Sequence, residues 1–236
     1  MNLKPPTVPR LRNGDRLTQP EFHRRYLAYD EDQKFELVGG TVFMASPLSW
    51  SHGAYHQQLG HVLGLYVDGT PGVEVGDNVT VILGEESEPQ PDLSVRIGPE
   101  CGGRSRVNDQ DYIEGPPELV AEIAYSSVAL DLNQKRRDYE AGGVQEYFVL
   151  CVDDKELHWF HFPTGKLLKP TRDGVLRSVV FPGLWIDGAA LLARERIRLA
   201  EVVQQGLASR AHQAFVRKLE AARRRSLKAR GQEGSA

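Results

Sequence analysis

The chain has 236 residues and a net charge of −3, with 40% hydrophobic and 26% charged residues. That composition excludes a wholly disordered or collagen-like chain, and no run of ~18 apolar residues offers a membrane span. The length suits one domain with an appendage, and the mild acidity by itself argues against a nucleic-acid partner.

Cys101 and Cys151 form neither a disulfide framework nor a zinc CxxC pair, and they read as reduced thiols. The N-terminus is basic and proline-bearing without the apolar core of a secretory signal. A cytoplasmic protein with a flexible lead over residues 1–17 is expected.

In chain order, Thr18 is placed to cap a short helix with Pro20 in its first turn, running to about Tyr29. DEDQK separates it from a hairpin, FELV–GG–TVFM, turning at Gly39–Gly40. Ser51 is placed to cap a helix over 51–68 whose apolar face is Leu59, Val62, Leu63 and Tyr66. GVEVGDNVTVIL alternates as one half-buried strand, with Val73, Val75, Val79, Val81 and Leu83 on one face. PDLSVRI is a second alternating strand facing inward through Leu93, Val95 and Ile97. Residues 98–117 read as a mobile loop. ELVAEIAY is apolar on both faces, which suits a central strand. A helix begins at Asp131 or Asn133 and stops at Gly142–Gly143. Strands at 145–152 and 156–162 flank an Asp153–Asp154 turn, weaker pairing follows near 166–180, and FPGLWID ends the sheet. From Gly188 to Ala229 the pattern is one long helix with a stripe of Leu199, Val203, Leu207, Ala211, Phe215 and Leu219. The fold class is α+β, a mixed and mainly antiparallel sheet flanked by helices, with a helical C-terminal tail over 188–236.

Two carboxylates stand out. Asp92 opens its strand beside Pro91, opposite the Leu93/Val95/Ile97 face. Glu122 interrupts an apolar strand beside Val120 and Ala124. An ionised carboxylate there costs several kcal/mol unless it is paired or ligates a metal. Pairing with a basic residue is one reading. Sharing a divalent cation with Asp92 from an adjacent strand is the other, and all-oxygen ligation favours magnesium or manganese. Lys135 follows Glu122 by 13 residues, so a strand–turn–helix return can aim its ammonium at the carboxylate face. Its spacing alone also suits a solvated charge. Tyr139 lies four residues on, on the same helical face.

ELVGGTV, His52 opening a helix, PDLSV, PPELVAEIAYSS, the run Asp131/Lys135/Tyr139, and GGVQEYFVL follow one another in order. This set resembles the Uma-two-type restriction endonuclease family, a branch of the PD-(D/E)XK nuclease superfamily, over residues 18–185. The resemblance implies a restriction-endonuclease-like domain over 18–187 and magnesium-assisted phosphodiester hydrolysis of DNA by a homodimer. It implies that Asp92 and Glu122 hold the metal, with a backbone carbonyl near Ile123, and that manganese can replace magnesium. The superfamily lysine two residues after the second acid is Ala124 here, so Lys135 is the implied substitute. Glu36, His52 and Tyr139 are implied accessory residues. Ala124 and the acidic body also suit a second reading, a nuclease-fold module that has lost catalysis and binds nucleic acid or protein.

Other signals carry less. His52 and His56 share a helix face, but the HExxH glutamate is Gly53 and no acidic third ligand follows nearby. His158 and His161 point to opposite faces of a strand. Ser126–Ser127 lack a nucleophile-elbow context. Residues 209–230 hold eight Lys/Arg and one Asp/Glu, a net +7, and residues 231–236 carry −1, which leaves −9 over 1–208. The basic helix suits either DNA or a second subunit docked on Phe215 and Leu219, and it predicts weak, salt-sensitive engagement of nucleic acid.

Overall fold

The computed structural model describes residues 8–28 and 33–233, without the side chains of Arg230, Gln232 and Glu233. The expected helix end at Tyr29 and most of the DEDQK spacer lie outside the described residues. So does the beginning of the expected flexible lead. From Leu11 onward that lead is held in place: Leu11 is buried, and residues 14–17 hydrogen-bond along the hairpin edge.

Helix α1 is Gln19–Leu27. The hairpin strands are β1, Phe35–Val38, and β2, Thr41–Met44. Gly39 and Gly40 both have positive φ, as a two-residue turn of this hand requires. Helix α2, Trp50–Asp68, starts one residue earlier than expected, because Ser49 rather than Ser51 caps it by accepting from the His52 amide. Its predicted apolar face is buried as expected.

The expected strand over 72–83 is two strands. β3 is Val73–Asp77 and β4 is Val81–Ile82, separated by Asn78 at φ 52°. Alternation survives across the break, which is why the pattern looked continuous. β5 is Leu93–Ile97. The expected loop after it contains β6, Arg106–Val107, and β7, Ile113–Glu114, which form a small sheet with β4. Two-residue strands leave too little period to read from sequence.

β8, Leu119–Ala124, is buried along its whole length and central, as its two apolar faces predict. It pairs antiparallel with β5 and parallel with β9, Glu146–Cys151. The helical connection starts at Val128, earlier than expected. A π-helical segment, Leu130–Lys135, runs into α3, Arg136–Ala141. β10, Glu156–His161, and β11, Lys166–Leu167, complete a six-stranded sheet in the order β11-β10-β9-β8-β5-β3. β12, Val175–Arg177, and β13, Trp185–Asp187, pair separately rather than ending the main sheet.

The C-terminal segment is three helices, not one: α4, Gly188–Ala193; α5, Arg196–Leu207; and α6, Arg210–Glu233. Arg194 at φ 58° makes the first break and Ser209 the second. The second break shifts the helical phase. Ala211 is therefore exposed, and His212 turns inward to bond Thr70. Phe215 and Leu219 are buried in the chain's own core beside Phe181. That removes the basis for a second subunit docked on them.

One face of the sheet packs on α2, α4, α5 and α6 through Leu93, Val95, Leu119, Ala121 and Ile123. The other carries Val120, Ala124, Tyr139, Tyr147 and Val149. Glu122 lies on this second face.

Candidate active site

The β5–β8 ladder ends at Leu93 and Ala121. Beyond that pair the strands diverge, and side chains replace the backbone partners. The Ile123 amide donates to Asp92 Oδ2 at 2.7 Å, and the Asp92 amide reaches Glu122 Oε2 at 3.4 Å. Each carboxylate thus caps the other strand's free amide, and both line one cleft of ≈ 830 Å³.

Glu122 is 4% exposed. Its Oε1 accepts from Lys135 Nζ at 3.0 Å and from the Tyr139 hydroxyl at 2.8 Å. Lys135 also lies 3.0 Å from Glu36 Oε2 and 3.8 Å from Asp131 Oδ1. The π turn explains how one short helix delivers all three groups. Residues four apart drift about 40° round a 3.6-residue helix, and the wider π turn takes up that drift. Asp131, Lys135 and Tyr139 consequently all face the sheet, and all three are buried.

From α2, His52 Nε2 lies 3.2 Å from Asp92 Oδ2, and His56 Nε2 lies 3.0 Å from the Asp92 carbonyl oxygen. From β1, Glu36 closes the site, and the Gln90 amide reaches its Oε2 at 3.4 Å. The structure therefore brings together all six residues singled out from sequence: Asp92, Glu122, Lys135, Glu36, His52 and Tyr139. Lys135 is not a solvated charge. Ala124 is fully buried among apolar side chains, and the only ammonium beside Glu122 among the described residues comes from the helix.

Sequence reasoning gave Asp131 no role beyond a helix start. Ser127 donates to its Oδ2, while its Oδ1 is buried without a hydrogen-bond partner among the described residues. The i, i+4 spacing to Lys135 was the available signal.

Three carboxyl groups surround one ammonium, Asp92 adds a fourth negative group near Glu122, and the electrostatics follow. Burial drives the Glu122 carboxyl well above the usual carboxylate range. Lys135 opposes that shift, and Asp131, Asp92 and Glu36 add to it. Burial likewise raises Asp131, against Lys135 and Ser127. Burial would release the Lys135 proton, but Glu122, Glu36 and Asp131 outweigh it and hold the ammonium charged. Burial also acts on Asp92, yet the His52 hydrogen bond and charge and the Ile123 amide bring its carboxyl below the usual value. The site thus has a surplus of negative charge in a low-dielectric setting, which a proton or a cation would relieve.

A family model described as "Uma2: Putative restriction endonuclease" matches residues 19–191. Among solved structures, the chain is similar to one titled a putative nuclease belonging to DUF820 from Anabaena variabilis ATCC 29413. The two share 16% identity with a TM-score of 0.58, covering 72% of this chain and 96% of that one. At that identity the likeness is one of fold. Among curated proteins no relative matches the chain. No helix among the described residues is long and apolar enough to cross a membrane.

Proposed function

The chain belongs to the Uma2 family of restriction-endonuclease-like proteins, and from that premise we propose that it is a magnesium-dependent DNA endonuclease of the PD-(D/E)XK type. The observation that carries this reading is the excess of carboxylates over ammonium at the floor of the cleft, with Glu122 buried among them. The donors are hard oxygens, and Asp131 keeps a buried oxygen that no described residue hydrogen-bonds, with Lys135 Nζ 3.8 Å away. That set fits a hard divalent cation.

Asp92 and Glu122, with the Ile123 carbonyl, would hold magnesium, or manganese in its place. Bound there, the ion supplies charge neutralisation at a phosphoryl oxygen and a more acidic water. The residues do the rest. Tyr139 fixes the Glu122 carboxylate by donating to Oε1. Glu36 and Asp131 keep Lys135 protonated and aimed at the cleft wall. The Lys135 ammonium then stabilises negative charge developing on the phosphoryl group. His52 orients Asp92 through its Oδ2.

The test compares the protein with Asp92→Ala and Glu122→Ala on supercoiled plasmid with magnesium. Cleavage should depend on the metal and fall at least about 100-fold in each variant. Equal activity in all three proteins would remove these residues from the mechanism.

A further inference from the structure

Two histidines on α2 border the carboxylate–lysine machinery, His52 through Asp92 Oδ2 and His56 through the Asp92 carbonyl. Their i, i+4 spacing stacks them on one helix face, with ring centroids 5.9 Å apart and planes at 73°. Read along the helix alone they lack an acidic partner. The fold supplies one from β5, because one ligand atom each from His52, His56 and Asp92 lies within 4.8 Å of the others.

We propose that His52, His56 and Asp92 form a site for a zinc-class transition-metal ion, adjoining the carboxylate pair proposed to hold magnesium and sharing Asp92 with it. Two imidazoles and one carboxylate with a further open position is a donor set that suits zinc, cobalt and nickel far better than magnesium.

The geometry is close to what such an ion needs. Four ligands at ~2.1 Å place neighbouring donors roughly 3.4 Å apart, and His52 Nε2 and Asp92 Oδ2 are already 3.2 Å apart. Closing the trio from its 4.8 Å limit to that spacing takes at most about 1.4 Å, with His56 Nε2 exchanging its contact to the Asp92 carbonyl for the ion. The His56 ring is only 12% exposed, and it has a further carboxylate at its rim, with Asp77 Oδ1 at 3.5 Å.

His52 is 6% exposed, and its Nε2, the nitrogen placed to ligate, already faces Asp92 Oδ2. His52 and Asp92 both line the cleft, so an ion has a route in. The proposal shares Asp92 with the nuclease reading but does not depend on cleavage.

Cobalt is the probe, because its visible absorption reports ligand type and number. The full chain, His56→Gln and Glu122→Gln are titrated with Co2+ alone. His56→Gln keeps a polar group near the Asp92 carbonyl while removing an imidazole donor. The expected result is a visible band in the full chain and in Glu122→Gln, with affinity at least about 100-fold weaker in His56→Gln. Zinc added to ring-nitrogen-labelled protein should shift the His52 and His56 resonances, a readout that needs no variant to fold. Undiminished cobalt binding in His56→Gln, or zinc-silent His52 and His56 rings, would overturn the site. So would a band lost only in Glu122→Gln, which would place the ion at the magnesium pair. A chain that binds cobalt through His56 yet never cuts plasmid would overturn the nuclease reading and leave this one standing.

Discussion

Two buried glutamates on neighbouring strands of one sheet have opposite surroundings. Glu146, at the start of β9, is fully buried, and its two oxygens accept from Trp159, Ser178 and the amides of Val179 and Val180. It is a structural knot that ties the β12–β13 region to the main sheet. Glu122, toward the other end of β8, shares one oxygen between Lys135 and Tyr139, and its second oxygen meets only a long amide contact. It also faces a cleft and three further carboxylates. Burial of a charge therefore does not mark a functional site. An unsatisfied oxygen beside a cleft, with like charges crowded round it, does.

The largest expected effects come from exchanging the two fates. Glu146→Ala leaves four donors without their acceptor, and it should lower unfolding free energy by about 3–5 kcal/mol in denaturant titrations. Glu122→Gln keeps an acceptor for Lys135 and Tyr139 and imitates the protonated acid that burial favours. Its melting temperature should stay near that of the parent, while magnesium-dependent cleavage falls at least about 100-fold. A strongly destabilised Glu122→Gln would make the two glutamates alike and erase the contrast.

Lys135→Met sharpens the contrast from the other side. Removing the ammonium leaves the carboxylates more negative, so magnesium affinity by calorimetry should hold or rise. Cleavage should nonetheless drop by a factor of about 100 or more. A parallel loss of both would make Lys135 a metal-site scaffold rather than a stabiliser of transferred charge.

The pH response should be next in size. Glu122 must ionise to ligate, and burial with its acidic neighbours holds its carboxyl well above the ordinary range. Magnesium affinity should therefore climb as pH rises toward that raised value, by up to tenfold per unit, and then level off. Asp92, held below its usual value by His52 and the Ile123 amide despite its burial, should add no step at neutral pH. A flat affinity from mildly acidic to alkaline pH would show that Glu122 is already ionised.

The contrast also bears on what the residues alone could reveal. Glu122 was legible because one acid in an apolar strand violates a strong rule, and Asp92 because it opens an alternating strand. Lys135 and Tyr139 were legible through helical spacing and through family resemblance, since spacing alone also suited a solvated lysine. Glu146 was not singled out. It sits at a strand's first residue, where an acid looks ordinary, and its partners lie 13–34 positions away. The same distance effect hid the link from His56 to Asp92. The helix–strand order was readable for most segments whose period ran for four residues or more. It failed at β3–β4, where alternation continues across the break at Asn78, at β6 and β7, too short to show a period, and at the α4–α5 and α5–α6 junctions. At the latter a break at Ser209 kept the helical pattern but changed its phase.

The smallest expected effect lies between these two kinds of site. Asp138, one turn past Lys135, accepts from the Ser87 hydroxyl, and Ser87 in turn accepts from the Gly39 amide at the tip of the hairpin that carries Glu36. Burial raises the Asp138 carboxyl to about 6, against the Ser87 hydrogen bond. Folding thus favours its neutral form. The associated stability is fully present below the unfolded value near 3.8 and is lost as pH rises through about 6. The full shift is worth roughly 3 kcal/mol, and partial solvent contact reduces that to about 1–2 kcal/mol. Other carboxylates titrate in the same window, so the parent's curve alone does not isolate Asp138. Asp138→Asn does, because the amide cannot ionise and its oxygen can still accept from Ser87. Its unfolding free energy should match the parent's near pH 4 and exceed it by about 1–2 kcal/mol at pH 8. A difference that shrinks with rising pH would mean that the Asp138 anion is stabilised in the fold, making this tie resemble the closed surroundings of Glu146 rather than the strained floor of the cleft.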